Sequence, residues 1–447
     1  MKILHLTAHL GGGVGKALSG LIARASESDS GVQHLIVCLE GPEKSQFIDR
    51  ILRYGSHVIV CPTKDRLEKL IGDSDIIQLE FWNHPLLFKF LLNYKLPDCR
   101  LIIYAHVSWI YAPNIIPQGM FDFADTIILS TPASMDHYID HIQRGRCRVI
   151  QGIGGVTRTS GLQKVQHAGI NIAYIGTASY SKLHPGFIQA CRMLLKRVPE
   201  VRFIVASNDD NSHLRAETED LSISNHFEFY YRTDNIEKIL GRSDLFGYPL
   251  RPDHFGTGEQ ALLEAMGAGV APVVIGNPAE KSLIKDGETG IIAHDIYDYV
   301  GALQYCIAHP DFANRIGAQA KTFALKNFAV EKTVSLFDHL YQQAIIKPKT
   351  ARNFKDFFTI DNLNPGWSLF KLCLGNYTDM FDYENADNEM LQQYFRDKIM
   401  RSSQLMSENK GGMRMYHKYF PEDPQLSRFL MQAIDPSNDK GNSANEP

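Results

Sequence analysis

The sequence contains few cysteines and no long apolar run, and each shortage excludes a class of protein. Only seven of its 447 residues are cysteine and no two form a C-x-x-C pair, so neither a disulfide scaffold nor a zinc site is expected. No run of 18 apolar residues is present to span a bilayer. His5, His9 and glycines interrupt the apolar start, a pattern unlike a signal peptide. We therefore expect a cytoplasmic protein.

Neither sign of charge predominates. The 46 basic residues stand against 50 acidic ones, for a net charge of −4, which argues against a nucleic-acid partner. Hydrophobic residues make up 44% of the chain and charged residues 21%, which is typical of globular proteins and excludes a largely disordered or collagen-like chain. The length indicates two or three folded units.

Short apolar segments of strand type alternate with segments of helical periodicity, in two successive series. The first series is 2–8, 34–39, 57–61, 75–79, 100–105 and 125–129, and the second is 171–176, 201–206, 226–230, 244–248, 271–275 and 290–293. Such alternation predicts mostly parallel sheets covered by helices. The predicted fold class is α/β, with two Rossmann-like domains facing a central cleft in which a ligand is expected.

The boundaries of the predicted units follow changes in this pattern. Residues 1–160 form the first domain and 161–345 the second. The alternation then stops and aromatic residues crowd together, which predicts a mainly helical appendage over 346–434 with a small satellite core. The polar residues 435–447 are predicted to be disordered.

A glycine-rich turn, Gly11–Gly15, follows the first predicted strand and opens a helix. Glycines let the backbone approach a ligand and a helix N-terminus favours negative charge, so Gly12 and Gly13 are candidate ligand contacts. A P-loop would need a hydroxyl where Ala17 stands, which makes an ATPase the less favoured interpretation. A tight turn without a ligand is the structural alternative.

A second motif extends from His254 to Val274 and predicts an anion site. A Gly/Thr turn feeds a helix, and the free backbone N–H groups near Gly258, Glu259 and Gln260 favour a phosphate group. Glu264, one to two turns into this helix, is placed to accept hydrogen bonds from ribose hydroxyls.

At this point the sequence resembles the family-4 glycosyltransferases of the GT-B fold, which are retaining enzymes with nucleotide-sugar donors. The resemblance rests on the glycine turn, on Leu263–Met266 with the following Gly269 and Pro272–Val274, and on Asp286–Gly290. It covers most of residues 1–345. It implies metal-independent transfer of a sugar, without a cofactor, to an unidentified glycan or lipid-linked acceptor in cell-surface glycan synthesis.

The resemblance also implies roles for single residues. Lys182 would neutralise the leaving diphosphate, His106 would contact the donor sugar and Glu264 would hold the ribose. Gly256 stands where the family has an acidic residue linked to the sugar, and Thr177 stands where it has an arginine. Glu259 is the substitute acid that we predict, although the predicted helix would turn it to a different face.

Other candidates surround this set. Asn277 is expected near the donor sugar, and Glu80, Asn83 and His84 follow a strand on the acceptor side. No metal ligands are predicted. A basic run is interpreted as a solvated face, with peripheral contact with the inner face of a membrane as the alternative; it comprises Arg144, Arg146 and Arg148.

Three alternative functions stay open at this level. A non-catalytic relative could bind a sugar without turning it over, and a nucleotide-sugar epimerase would share the fold. The P-loop-like ATPase is the least favoured of the three.

Overall fold

The structure is a computed structural model, and it describes residues 1–27, 31–42, 45–143, 145–152, 156, 162, 164–233, 235–257 and 259–434. The predicted disordered tail, 435–447, lies outside the described residues, as do Arg144, Gly258 and most residues beside the predicted domain boundary at 160/161.

The first domain is built on a seven-stranded parallel sheet with the order β3-β2-β1-β4-β6-β7-β8. The seven strands are β1 (Lys2–Thr7), β2 (Gln33–Cys38), β3 (His57–Val60), β4 (Ile76–Phe81), β6 (Leu101–Ala105), β7 (Thr126–Leu129) and β8 (Cys147–Val149), and β5 (Leu96–Cys99) lies outside this sheet. Its helices are α1 (Gly12–Ala25), α2 (Gln46–Arg53), α3 (Lys64–Gly72), α4 (Pro85–Asn93), α5 (Met120–Phe123) and α6 (Ile139–Gln143).

The second domain repeats this plan with a six-stranded parallel sheet of order β11-β10-β9-β12-β13-β14. Its strands are β9 (Ile170–Ile175), β10 (Val201–Ser207), β11 (Phe227–Tyr231), β12 (Leu245–Tyr248), β13 (Ala271–Ile275) and β14 (Ile291–Ala293). Its helices are α7 (Phe187–Leu195), α8 (Ser212–Asp220), α9 (Ile236–Gly241), α10 (Gln260–Gly267), α11 (Pro278–Lys281), α12 (Ile296–Ala308) and α13 (Pro310–Asn327).

All twelve predicted strands are present, each within two residues of its predicted start and end. The pattern was readable because strands buried on both faces are nearly continuous in Val, Ile and Leu. In both sheets the strand order reverses beside the first strand, between β1 and β4 and between β9 and β12. Ligands bind at the carboxyl ends of strands at such switch points.

Helix α14 (Val330–Ile345) was assigned to the second domain from sequence, but it packs on the first. Phe337 and Tyr341 are buried in one cluster with Ile3 and Ile102 of the first sheet. The Tyr341 hydroxyl also donates a 2.7 Å hydrogen bond to Gln78 of β4. The chain therefore returns to its first domain after completing the second.

The appendage comprises β15 (Thr350–Arg352), α15 (Pro365–Lys371), α16 (Glu389–Tyr394), α17 (Met413–Tyr419), α18 (Pro424–Ile434) and a π-helical stretch, Phe395–Met400. Strand β15 pairs antiparallel with β5, and Arg352 forms a 2.6 Å ion pair with Asp125 of the first domain.

The aromatic residues of the appendage do not form the separate satellite core that the sequence predicted. Phe354, Trp367 and Phe370 belong to the same buried cluster as Phe81 and Phe88 of the first domain. The appendage is thus an extension of the first domain's core. Within the described residues, no helix is long and apolar enough to cross a membrane.

Candidate functional site

A cavity of about 520 Å³ lies between the two sheets, at the switch points of both. Residues of the first domain, the second domain and the appendage all line it. Seven of the predicted site residues are among them: Gly12, Gly13, His106, Lys182, Glu259, Gln260 and Glu264. Gly258 belongs to the same prediction but lies outside the described residues.

On the first-domain side, the glycine turn leads into α1, which begins at Gly12. A Cβ atom at Gly11 would lie 2.7 Å from Nδ1 of His9, and one at Gly15 would overlap the Phe47 ring. Two of the glycines are therefore required by close packing. Ala17 is 5% exposed, and Lys16 forms an ion pair with Glu264 of the second domain. This arrangement offers no hydroxyl at position 17 for the magnesium of a P-loop.

His106 points into the cavity from the first domain, and a buried carboxylate fixes it there. Nε2 of His106 lies 2.6 Å from Oε2 of Glu80, which is completely buried. The other oxygen of Glu80 accepts hydrogen bonds from Nδ1 of His5 at 2.7 Å and Nε2 of Gln78 at 2.8 Å. Nε2 of His5 lies 2.9 Å from Nδ1 of His34. A chain of polar groups therefore extends from His106 into the core.

This network settles the charge of Glu80. Burial alone would raise the pKa of this carboxyl, but the hydrogen bonds and positive potential of His106 and His5 outweigh it and lower the pKa to about 2. Burial and the neighbouring His5 lower the pKa of His34 to about 3. At neutral pH a carboxylate therefore faces His106, with a neutral His34 at the far end of the chain.

The three residues predicted on the acceptor side do not line this cavity. Glu80 acts behind His106, as described. Asn83 accepts a 2.6 Å hydrogen bond from Trp109 and donates to the carbonyl of Ile115. Nδ1 of His84 accepts the backbone N–H of Leu86 and so caps α4. These hydrogen bonds lie where loops converge on the core, and none of the three residues lines the cavity. Their acceptor-side role stays a prediction.

On the second-domain side, Lys182 and Glu259 form an ion pair of 2.8 Å. The Glu259 side chain is fully buried and that of Lys182 is 13% exposed. The Tyr248 hydroxyl donates a 2.5 Å hydrogen bond to the same oxygen of Glu259. Burial opposes ionisation of Glu259, but Lys182 and His254 with these hydrogen bonds keep its pKa below the usual value. Glu259 therefore stays a carboxylate.

The backbone explains why Glu259 reaches this position. It is the residue before α10, in the left-handed region with φ 34° and ψ 57°, which is uncommon for a residue other than glycine. The turn directs its side chain back toward Gly256, where the carboxylate fills the space that a Cβ atom would occupy. The expected mismatch of helical faces does not arise, because Glu259 lies outside the helix.

Glu264 lies in the middle of α10 and faces the cavity. Its Oε1 forms an ion pair with Lys16 and accepts a hydrogen bond from the amide of Gln260. Its Oε2 is buried without a hydrogen-bond partner in the described residues. Oε1 of Glu259 is likewise buried without a hydrogen bond. Two carboxylate oxygens of one cavity thus lack hydrogen-bond donors, which is costly unless a ligand supplies them.

Asn277 lies apart from the cavity. It is 4% exposed, precedes α11 and donates a 3.3 Å hydrogen bond to the carbonyl of Leu250. It shapes the turn after β13, so the prediction of a donor contact is not supported by its position.

Two clusters of His and Glu side chains have the composition of metal sites: His254, Glu259 and Glu280, and His9, Glu40 and His84. In His254 and His84, Nδ1 accepts a backbone N–H, at 2.9 and 3.1 Å, so a neutral ring carries its proton on Nε2. Nε2 is the atom that faces Glu280 in the first cluster and Glu40 in the second. As placed, Nε2 of His254 lies within hydrogen-bond distance of Glu280, whereas Nε2 of His84 lies 3.7 Å from Glu40 and makes no hydrogen bond. In this tautomer neither Nε2 presents the lone pair that a metal requires.

Among the cavity residues that were not predicted from sequence are Tyr248, Lys16 as a partner of Glu264, and Lys410 of the appendage. Tyr248 ends a predicted strand, a signal that could have identified it. The other two are brought in by tertiary packing across the cleft.

Comparison with known proteins bears on this geometry. Residues 164–323 match the family model described as glycosyl transferases group 1. Among solved structures, the Anabaena protein Alr3699/HepE in complex with UDP and glucose superposes with a TM-score of 0.62 at 16% identity, covering 77% of this chain and 100% of that one. The chain has the GT-B fold. The group 1 match lies almost entirely within its second Rossmann-like domain.

Other GT-B structures are similar to a comparable extent. Sucrose-phosphate synthase from Thermosynechococcus elongatus has a TM-score of 0.57 at 13% identity, covering 77% of this chain and 99% of that one. The lipopolysaccharide outer core galactosyltransferase WaaB, without ligand, has a TM-score of 0.56 at 14% identity, covering 77% and 100%. No curated protein sequence matches at a significant level.

Proposed function

We propose that this GT-B protein is a retaining glycosyltransferase that moves a sugar from a nucleoside diphosphate donor to a glycan or lipid-linked acceptor. The observation that carries the proposal is that two residues of the cavity wall, Glu259 and Glu264, each have a buried carboxylate oxygen, Oε1 and Oε2 respectively, without a hydrogen-bond donor among the described residues. Hydroxyl groups of a sugar and a ribose would supply such donors. The complexes of the Anabaena protein with UDP and UDP-glucose support the donor class.

In this proposal each domain contributes residues to one side of the cavity. As the bond between the sugar and the diphosphate breaks, negative charge grows on the leaving phosphate, and Lys182 with the first N–H groups of α10 would stabilise it. Glu264 would hold the ribose and Glu259 a hydroxyl of the transferred sugar. His106 would contact the sugar from the first domain.

The protein's own residues supply all of these roles, and we propose that the reaction uses neither a metal ion nor a cofactor. The protonation of His254 and His84, argued above, supports the absence of a metal from both clusters. Retention of the anomeric configuration and a place in cell-surface glycan synthesis rest on the sequence resemblance, as do cytoplasmic location and peripheral membrane contact.

A thermal-shift screen against UDP, GDP, ADP and their common sugar conjugates tests the donor class. A ligand that binds only the folded state raises its stability by about 2.7 kcal/mol at a concentration of 100 times Kd. We expect one nucleotide series to raise the melting temperature. If none does, the proposed donor is wrong; if one binds and no acceptor supports turnover, the chain is a non-catalytic sugar-binding protein. Conversion of the free donor without an acceptor would identify an epimerase.

The role of Lys182 needs a paired variant, because removal of its ammonium group alone leaves the buried Glu259 carboxylate unpaired, at a cost of about 3–5 kcal/mol. Lys182→Met should therefore be compared with the double variant Lys182→Met/Glu259→Gln. Both should bind the nucleoside diphosphate on the order of tenfold more weakly by calorimetry, since both lack the ammonium group. Lys196→Met, at an exposed site in the same domain, is the control. An unchanged Kd in the folded double variant would remove Lys182 from the site.

A further inference from the structure

The appendage does more than cover the first domain, because its segment 402–411 bridges both domains. Nε2 of Gln404 donates a 2.6 Å hydrogen bond to the carbonyl of Asp253, and Arg251 donates to Oγ of Ser403 at 3.0 Å. Both partners lie in the second domain. Asn114 of the first domain donates a 3.3 Å hydrogen bond to the carbonyl of Lys410.

This segment places Lys410 in the wall of the donor cavity. Its ammonium group lies 5.6 Å from the centre of the Phe255 ring, and that of Lys182 lies 5.9 Å from the centre of the same ring. The two cations can therefore be no further apart than the sum of these distances. Phe255 directly precedes the turn that leads into α10.

The charge state of the cavity shows what Lys410 could supply. Lys182 is neutralised by Glu259 and Lys16 by Glu264. Among the described residues the ammonium group of Lys410 has no carboxylate partner, and it lies over the Phe255 ring. Arg50, another cavity cation without a carboxylate partner among the described residues, lies on α2, which packs on α1 of the first domain. A cation without a partner beside Lys182 is suited to an anionic ligand.

We propose that Lys410 binds the diphosphate of the donor together with Lys182, so that the appendage completes the donor site. This proposal rests on the proposed function, because it assumes a nucleoside diphosphate in the cavity. It assigns a binding role to a part of the chain outside the two Rossmann-like domains.

Calorimetric titration of the full chain with UDP, GDP, ADP, the corresponding nucleosides and inorganic pyrophosphate tests the proposal. For the nucleotide that binds the wild type, Lys410→Met should raise the Kd on the order of tenfold, and the Kd of pyrophosphate similarly. The Kd of the matching nucleoside should not change, because it carries no phosphate. Lys410→Arg should restore most of the affinity.

The matched control is Lys418→Met. Lys418 is an exposed appendage lysine whose ammonium group also lies over an aromatic ring, that of Tyr419 at 5.4 Å, but it does not line the cavity. The Lys418→Met variant should bind all probes with the same Kd as the wild type. Equal diphosphate affinity of Lys410→Met and the wild type would overturn the proposal, as would equal weakening of nucleoside and diphosphate. Failure of every nucleotide to bind the wild type would instead overturn the proposed function.

Discussion

At the scale of single residues, the site depends on carboxylates that stay ionised although buried. Glu80 accepts hydrogen bonds from three side chains and Glu259 from two, so each charge is compensated where it lies. A buried charge is tolerated only with such partners. Each also fixes a neighbour: Glu80 fixes His106, and Glu259 fixes Lys182.

Glu80→Gln should therefore lower the free energy of unfolding by about 1–3 kcal/mol, because an amide cannot accept hydrogen bonds from His5 and His106 at once. Urea unfolding measures the change. Glu40→Gln is the control, since it keeps an oxygen for the hydroxyl of Tyr419 and should change stability by less than about 1 kcal/mol. Equal effects of the two variants would show that the Glu80 network contributes nothing specific.

Two buried histidines make stability depend on pH. Burial and neighbouring positive groups lower the pKa of both His34 and His84 to about 3, whereas the unfolded chain titrates near 6.5. Between these values the unfolded state binds more protons, so stability falls as pH falls, by up to about 1.4 kcal/mol per pH unit for each histidine.

Urea unfolding at pH 7, 6, 5 and 4 measures this slope. His34→Gln should reduce it by removing one titrating group. A free energy of unfolding that stays constant from pH 7 to pH 5 would contradict the burial of these two rings.

At the scale of elements, α13 packs against the turn that follows α10. A Cβ atom at Gly317 of α13 would overlap the carbonyl of Gly269, which has φ 76° and begins the approach to β13. Helix and turn can meet at this distance only without a side chain at position 317. The contact holds α10, and with it Glu264, against the second sheet.

Gly317→Ala should therefore destabilise the protein by about 1–3 kcal/mol through overpacking. Gly301→Ala in α12 is the matched control, since nothing lies within 4 Å of its Cβ position, and it should stabilise by up to about 1 kcal/mol through helix propensity. The two variants should move the thermal midpoint in opposite directions. The same sign for both would refute the packing argument.

At the scale of the whole molecule, the two domains are not independent segments of chain. Helix α14 and the appendage come after the second domain and complete the cores of the first. Phe337, Tyr341, Phe354 and Trp367 are all buried there, which removes a large apolar surface from water.

Residues 1–160 expressed alone should therefore not unfold cooperatively, since their apolar faces lose these partners. Circular dichroism on heating checks this, and co-expression with residues 330–434 should restore a cooperative transition. A sharp transition of the isolated fragment would mean that the sequence boundary at residue 160 delimits a self-sufficient domain.

The strands and the main site residues were predictable because their signals are local. Continuous apolar segments gave all twelve predicted strands, and a turn before a helix pointed to Glu264. The acceptor-side prediction assumed that side chains after a strand end face the cleft, whereas Asn83 and His84 are buried and do not line the cavity. Asn277 is likewise buried, with its amide bonded to the carbonyl of Leu250.

The sequence by itself determined the two α/β series. Strands buried on both faces are continuous apolar segments, and helices buried on one face repeat their apolar residues with the helical period. Only the tertiary structure decided that Glu259 occupies the space beside Gly256, that Glu80 lies behind His106 and that Lys410 reaches the donor cavity. These relations join residues through a left-handed turn, a buried network and a returning chain. None of them has a sequence period, because each depends on contacts between distant segments.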